Sequence, residues 1–117
     1  MQQKRYHIIV DVENCPPEKV NDTTFVKNFL EKLPEKIGMS ILYGPVVMEG
    51  IPKNPGLSGF LIIDYSHISI HTFASTNEFL IDIFSCKPYD QDTVVNFFLS
   101  LVPMDRKNLN IKTVAWG

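Results

Sequence analysis

The sequence predicts an α+β fold: a two-layer sandwich in which a mostly antiparallel sheet carries two helices on one face. Three observations lead to it. Consecutive strand-like segments in the middle of the chain follow one another through short polar or Gly/Pro-rich connections, as in hairpins. Two isolated helical segments each carry a single apolar stripe, which suits a helix that covers one face of a sheet. A chain of 117 residues makes a single domain, 1–117, large enough to bury a core without disulfide or metal staples.

Tyr6 to Glu13 alternates loosely and is rich in Ile and Val, so it reads as the first strand. Pro16 and Pro17 stop it, because proline has no N–H to give to a ladder. Asp22 is placed to cap a helix over Thr24–Lys32, with Phe25, Phe29, Leu30 and Leu33 on one side; Pro34 and Gly38 end or kink its last turn. Met39–Met48 reads as a second strand and Glu49–Gly56 as a loop rich in Pro and Gly. Leu57–Asp64, Ser66–Phe73 and Glu78–Cys86 read as three more strands, with a hairpin turn at Ala74–Asn77. Asp90 or Asp92 caps a second helix bearing Val94, Val95, Phe98, Leu99 and Leu101, which Pro103 ends. Asn108–Trp116 closes the chain as a strand.

Composition narrows the function. Hydrophobic residues are 44% and charged residues 21%, as expected of a soluble globular protein. The net charge of −2, from 11 basic and 13 acidic residues, has no basic cluster to neutralise phosphates, which argues against a nucleic-acid partner. No apolar run approaches the roughly 20 residues of a spanning helix, and the N-terminus turns acidic too soon for a secretory signal. Cys15 and Cys86 are too few for a disulfide framework or a zinc site. Two free thiols in a reduced cytoplasm is the simplest expectation.

The segment from Gly56 to Cys86, GLSGFLIIDYSHISIHTFASTNEFLIDIFSC, is where chemistry concentrates. Alternation along Ser66–Phe73 puts Ile68 and Ile70 on the core side and His67, Ser69, His71 and Phe73 on the other. Leu80, Asp82, Phe84 and Cys86 share a face of the following strand, with His71 expected opposite Ile81 or Asp82. Taken singly, His71 reads as a hydrogen-bonded or surface histidine and Cys86 as a small core hydrophobe. His67 and His71 lack a third ligand at metal spacing, so no metal is expected. Together, these polar groups on an otherwise apolar sheet point to a site.

Their order is that of a known family. Gly56-Leu57-Ser58-Gly59 resembles a G-(V/L)-S-G turn, Ser66 to Thr72 the signature S-H-x-(S/T)-I-H-T, and Ile81 to Cys86 the signature I-D-x-(F/Y)-(S/T)-C, with no gap from His71 to Cys86. Tyr6 to Asp11 followed by Cys15 resembles the family's opening in pattern. The chain is thereby identified as resembling the prokaryotic-type S-adenosylmethionine decarboxylase proenzymes.

The resemblance implies a pyruvoyl-dependent lyase that makes its own cofactor. Ser66 Oγ would attack the Tyr65 carbonyl, and cleavage between Tyr65 and Ser66 would leave a pyruvoyl group at position 66. That group forms a Schiff base with the substrate amine and accepts the electrons left by carbon dioxide. Ser58 would assist processing, and His71, near Ser66 in sequence, would serve as base. Cys86 matches the proton donor, and Phe73 matches an aromatic position that stacks on the substrate adenine. A homodimer with sites near the subunit interface, and a role in polyamine (spermidine) synthesis, are implied as well. His7 and Asp82 match pattern positions and receive no role.

Three residues depart from the pattern. Tyr65 stands where the family has Glu; the acyl shift uses that residue's carbonyl, so tyrosine does not forbid cleavage, while its bulk and the lost carboxylate would slow it or alter the pocket. Ser75 stands where the family has a Glu that grips ribose hydroxyls, so one hydroxyl replaces a bidentate acceptor, with Glu78 close enough in sequence to compensate. Lys87 replaces a glycine and puts a positive charge beside Cys86, which favours thiolate. Ser75 motivates a second reading, a decarboxylase of the same lineage acting on arginine or ornithine. Tyr65 motivates a third, an uncleaved, non-enzymatic paralogue that binds a ligand or pairs with an active homologue. A Cys86/His71 hydrolase ranks last, for want of a nucleophile elbow or oxyanion motif.

Overall fold

The computed structural model describes residues 4–116 and is a six-stranded antiparallel sheet covered on one face by helices. The elements are β1 (Arg5–Val12), α1 (Pro17–Val20), α2 (Thr23–Lys36), β2 (Ile41–Ile51), β3 (Asn54–Ile63), β4 (Ser66–Phe73), β5 (Glu78–Ser85), α3 (Gln91–Leu101) and β6 (Leu109–Trp116), the last preceded by a short 3₁₀ turn. The strand order is β2-β3-β4-β5-β1-β6. Strands β2 to β5 run as a meander, and β1 then slots beside β5 with β6 outside it.

Alternation decides the two faces. Ile8, Val10 and Val12 of β1, Leu61 and Ile63 of β3, Ile68 and Ile70 of β4, and Phe79, Ile81 and Ile83 of β5 all point beneath the helices and are buried. Helix α2 lays Val26, Phe29, Leu30 and Leu33 on them and α3 adds Val94 and Phe98. Rings of Phe25, Phe29, Phe79 and Phe98 meet edge to face at 5.5–6.5 Å between centroids, the arrangement that aromatic quadrupoles favour. Thr72 and Ser85 are buried polar residues, and Thr72 is satisfied: its hydroxyl donates to the Val20 carbonyl at 2.6 Å and accepts from the Leu57 N–H at 2.8 Å. That pair ties α1 to the sheet. No helix among the described residues is long and apolar enough to cross a membrane.

Both caps form as expected: Asp22 accepts from the Phe25 N–H and Asp90 from the Asp92 N–H, each at 3.0 Å. Four details differ from expectation. Pro17 opens a one-turn helix rather than only ending a strand, since proline's fixed φ suits a first helical position. Helix α2 runs on through Pro34 to Lys36, and Gly38 (φ +75°) turns the chain out. Glu49–Gly56 is not a loop; β2 and β3 continue through it as a hairpin with Pro52 and Lys53 at its tip. Its glycines permit that, because a Cβ at Gly56 would fall 2.0 Å from the Thr72 carbonyl oxygen. Gly59, likewise, is no turn residue but lies within β3, where a Cβ would come 2.8 Å from Leu30 of α2.

Phe98→Ala should cost roughly 3–5 kcal/mol, because it opens a cavity among the three rings of Phe25, Phe29 and Phe79. Leu42→Ala, at a residue 68% exposed, should change stability by about 0.5 kcal/mol or less. Urea unfolding midpoints of the two variants check the contrast.

Candidate active site

Asp64 and Tyr65 alone connect β3 to β4, pairing Ile63 with Ser66. Ser66 leaves this turn with a φ of +141°, a region that glycine ordinarily occupies and that strains a residue with a Cβ. Directly before it, the Tyr65 carbonyl accepts a hydrogen bond from the Cys86 N–H at 3.0 Å. This carbonyl is therefore polarised and oriented by a backbone donor, while the hydroxyl-bearing residue beside it is held in a strained backbone. Ser85 fixes the donor's segment: its buried hydroxyl accepts from the Lys87 N–H and donates to the Lys87 carbonyl, both at 2.9 Å. The Cys86 side chain is exposed.

The Lys87 ammonium is committed to two partners. It donates to the Gly38 carbonyl at 2.8 Å and stands 5.0 Å from the Tyr65 ring centroid. Beside this turn, on the face away from the helices, the Phe84 ring has His67 stacked on it and His7 edge-on, both at 5.4 Å. His7 Nε2 lies 2.8 Å from Asp82 Oδ1, a pair that pattern alone left without a partner.

Ser58 and His71 meet elsewhere. They face each other across β3 and β4, with Ser58 Oγ 2.9 Å from His71 Nδ1. Val46, Met48 and Phe60 help to line a cavity of about 270 Å³ around them. His71 cannot fold back on Ser66 as expected, because both belong to the same strand. Five residues of extended chain separate them by ~16 Å. Ser58 is equally remote from the Tyr65–Ser66 bond, and His71 pairs with Leu80 rather than Ile81 or Asp82. The turn between β4 and β5 takes all four residues from Ala74 to Asn77, pairing Phe73 with Glu78 and setting that register.

Phe73 lies at the same end. With Ile9, Asp11, Glu78, Leu80 and Lys112 it lines an open groove of about 520 Å³. Ser75 sits exposed in the turn. Thr76 donates its hydroxyl to the Glu78 carboxylate. Glu78 is thus brought beside Phe73 by direct cross-strand pairing. His67 and His71, ~13 Å apart along β4, share no metal-binding cluster. Among the described residues the carboxylates of Asp11, Glu13 and Glu78 do converge, within 4.8 Å of one another.

Fold and site together describe a two-layer α+β protein with a strained serine behind a polarised carbonyl. A family model described as S-adenosylmethionine decarboxylase matches residues 6–112. A protein named S-adenosylmethionine decarboxylase proenzyme from Clostridium botulinum (strain Langeland) is 32% identical over 118 residues, 100% of this chain and 97% of its own. A protein of the same name from the Loch Maree strain is 33% identical, covering 83% of this chain and 82% of its own. The crystal structure of the adenosylmethionine decarboxylase from Aquifex aeolicus superposes with a TM-score of 0.81 over 100% of this chain and 93% of that one, at 18% identity, a likeness of fold. The chain belongs to the S-adenosylmethionine decarboxylase family.

The two thiols differ sharply. Burial raises the Cys15 pKa to about 11, with its Sγ directed at the Val12 carbonyl. Native protein at pH 8 should therefore alkylate at Cys86 and spare Cys15 until it unfolds, as peptide mass mapping would show. A thiol whose folded pKa lies above its ordinary 9.0 stabilises the fold below pH 9 and loses that contribution as pH rises towards about 11. Tyr89, also raised by burial, acts in the same direction. The urea midpoint should fall across this window, and Cys15→Ala should flatten part of the fall.

Proposed function

We propose that this protein is a pyruvoyl-dependent S-adenosylmethionine decarboxylase that matures by self-cleavage between Tyr65 and Ser66. It acts as a cytoplasmic homodimer in the synthesis of polyamines such as spermidine. The observation that carries the reading is the Tyr65 carbonyl held by the Cys86 N–H with strained Ser66 directly behind it.

The chemistry follows from those groups. Ser66 Oγ attacks the Tyr65 carbonyl carbon, and the negative charge that develops on the oxygen is stabilised by the Cys86 N–H. Collapse breaks the amide, frees the Ser66 nitrogen and leaves an ester. A base then removes the Ser66 Cα proton, and Tyr65 departs with its carboxylate as the end of residues 1–65. Dehydroalanine remains at position 66; addition of water and loss of ammonia make it a pyruvoyl group. The strain at Ser66 disappears with the bond. Once formed, the group supplies the electron sink for loss of carbon dioxide from an α-amino acid. Cys86, exposed beside it, holds at Sγ the proton that the product carbon takes up.

His71 is the base that fits, since Ser58 holds its Nδ1 and leaves Nε2 free for proton transfer. It cannot serve its own Ser66 from ~16 Å along one rigid strand. A second copy can bring its Ser58–His71 pair to this Tyr65–Ser66 bond. The sheet face away from the helices supports that pairing: it carries half-buried Ile9, Leu80 and Phe84 and exposed Phe60 and Ile62. An uncovered apolar face of this kind marks an interface. Phe73 and Glu78, at the His71 end, then reach the same shared site. The Phe73 ring suits a flat base beside a sulfonium charge, and Glu78 supplies the hydroxyl acceptor that Ser75 cannot.

Intact mass tests the reading. The purified protein should give two chains, 1–65 and 66–117, the second blocked at its N-terminus and reducible by borohydride. Ser66→Ala should give one full-length chain, and a single uncleaved wild-type chain would overturn the proposal. Carbon dioxide should be released from carboxyl-labelled S-adenosylmethionine and not from arginine. Glu78→Gln should raise KM for S-adenosylmethionine by roughly tenfold with little change in kcat, the loss expected of one charge-assisted hydrogen bond.

A further inference from the structure

We propose that Lys87 is a positioning residue for cleavage of the Tyr65–Ser66 bond, gripping the Tyr65 ring while the adjacent Cys86 amide grips the Tyr65 carbonyl; the inference rests on the self-cleaving reading above. Tyr65 lies in a two-residue turn and is 38% exposed, a setting in which a side chain ordinarily rotates freely. Here its ring faces the Lys87 ammonium at 5.0 Å, within cation–π range. The ammonium is anchored in turn: it donates to the Gly38 carbonyl at 2.8 Å, just past the C-terminal end of α2, where a positive charge is favoured. The Lys87 backbone is pinned by two hydrogen bonds with the buried Ser85 hydroxyl. Residues 86 and 87 therefore hold one peptide from two sides, and through Gly38 they brace it against the helical layer.

The two contacts have different consequences. The Cys86 bond orients the carbonyl that is attacked. The Lys87 contact limits rotation of the residue that carries it, and so keeps the neighbouring Ser66 in its strained backbone. Tyr65 and Lys87 are also two of the three positions at which the chain departs from the signatures it otherwise follows. A carboxylate and a glycine at these positions could not form a ring–ammonium contact, whereas this pair does. The departures are complementary in space.

Cleavage of the full chain, followed by gel and mass during cell-free synthesis, tests the assignment. Lys87→Met and Tyr65→Leu should each slow cleavage roughly two- to fivefold, the rate equivalent of one exposed cation–π contact. The double variant should be no slower than the slower single variant, because both remove the same contact. Lys87→Arg, which keeps a cation that can stack and donate, and Tyr65→Phe, which keeps a ring, should cleave at close to the wild-type rate. Thermal midpoints of the same substitutions in the Ser66→Ala chain separate positioning from stability. Unchanged rates, additive slowing, or slowing that only tracks the thermal midpoint would overturn the inference while leaving self-cleavage intact. A wild-type chain that never cleaves would remove both.

Discussion

A single backbone hydrogen bond, from the Cys86 N–H to the Tyr65 carbonyl at 3.0 Å, joins the β3–β4 turn to the end of β5, and the candidate site is organised around it. The bond exists because β4 and β5 pair in register from Phe73–Glu78 up to Ser66–Ser85, so the residues just outside the ladder are forced together. That register depends on the four-residue turn at one end and on the alternating isoleucines that must face the helices. A slip of one residue in either strand would send its isoleucines, Ile68 and Ile70 or Ile81 and Ile83, to the wrong face, at a cost of two buried side chains. Hydrophobic burial thus fixes the position of the Tyr65–Ser66 peptide, which lies outside the core itself.

The same rigidity separates the rest of the machinery. One strand carries Ser66 at its start and His71 and Phe73 at its end, and extended chain cannot bend them together. Two half-sites result. One holds the Tyr65–Ser66 peptide, Cys86 and the His7–Asp82 pair; the other holds Ser58, His71 and the groove of Phe73 and Glu78. His7 and Asp82 of the first and Ser58, His71, Phe73 and Glu78 of the second lie on the sheet face that no helix covers. A second copy laid on that face in antiparallel sense would bury its apolar residues and join unlike halves twice over.

Much of this was legible in sequence, and the parts that were not share a cause. Strands and helices followed from alternation and capping, and Asp22 and Asp90 cap as their positions suggest. The candidate site residues came from the resemblance of Ser66–Thr72 and Ile81–Cys86 to the family's signatures. Distance did not: nearness of His71 to Ser66 in the chain meant remoteness in space, because both occupy one strand. The hairpin at Glu49–Gly56 was hidden by Pro and Gly, which usually end strands; here Gly50 and Gly56 allow close backbone approach. The Tyr65–Lys87 contact and the Ser85 bonds link residues whose meeting depends on the β4–β5 register. No local pattern announces such contacts.

The division of the site between two copies is the central claim, and complementation tests it most directly. On the proposed reading, Ser66→Ala and His71→Ala chains, distinguished by tags, are each unable to complete a site alone. Co-expressed, they would form mixed dimers in which an intact Ser66 from one chain meets an intact His71 from the other. The account predicts that the His71→Ala chain is cleaved in the mixture and stays whole by itself. If it stays whole in isolated mixed dimers too, each chain processes its own bond and the shared site is wrong.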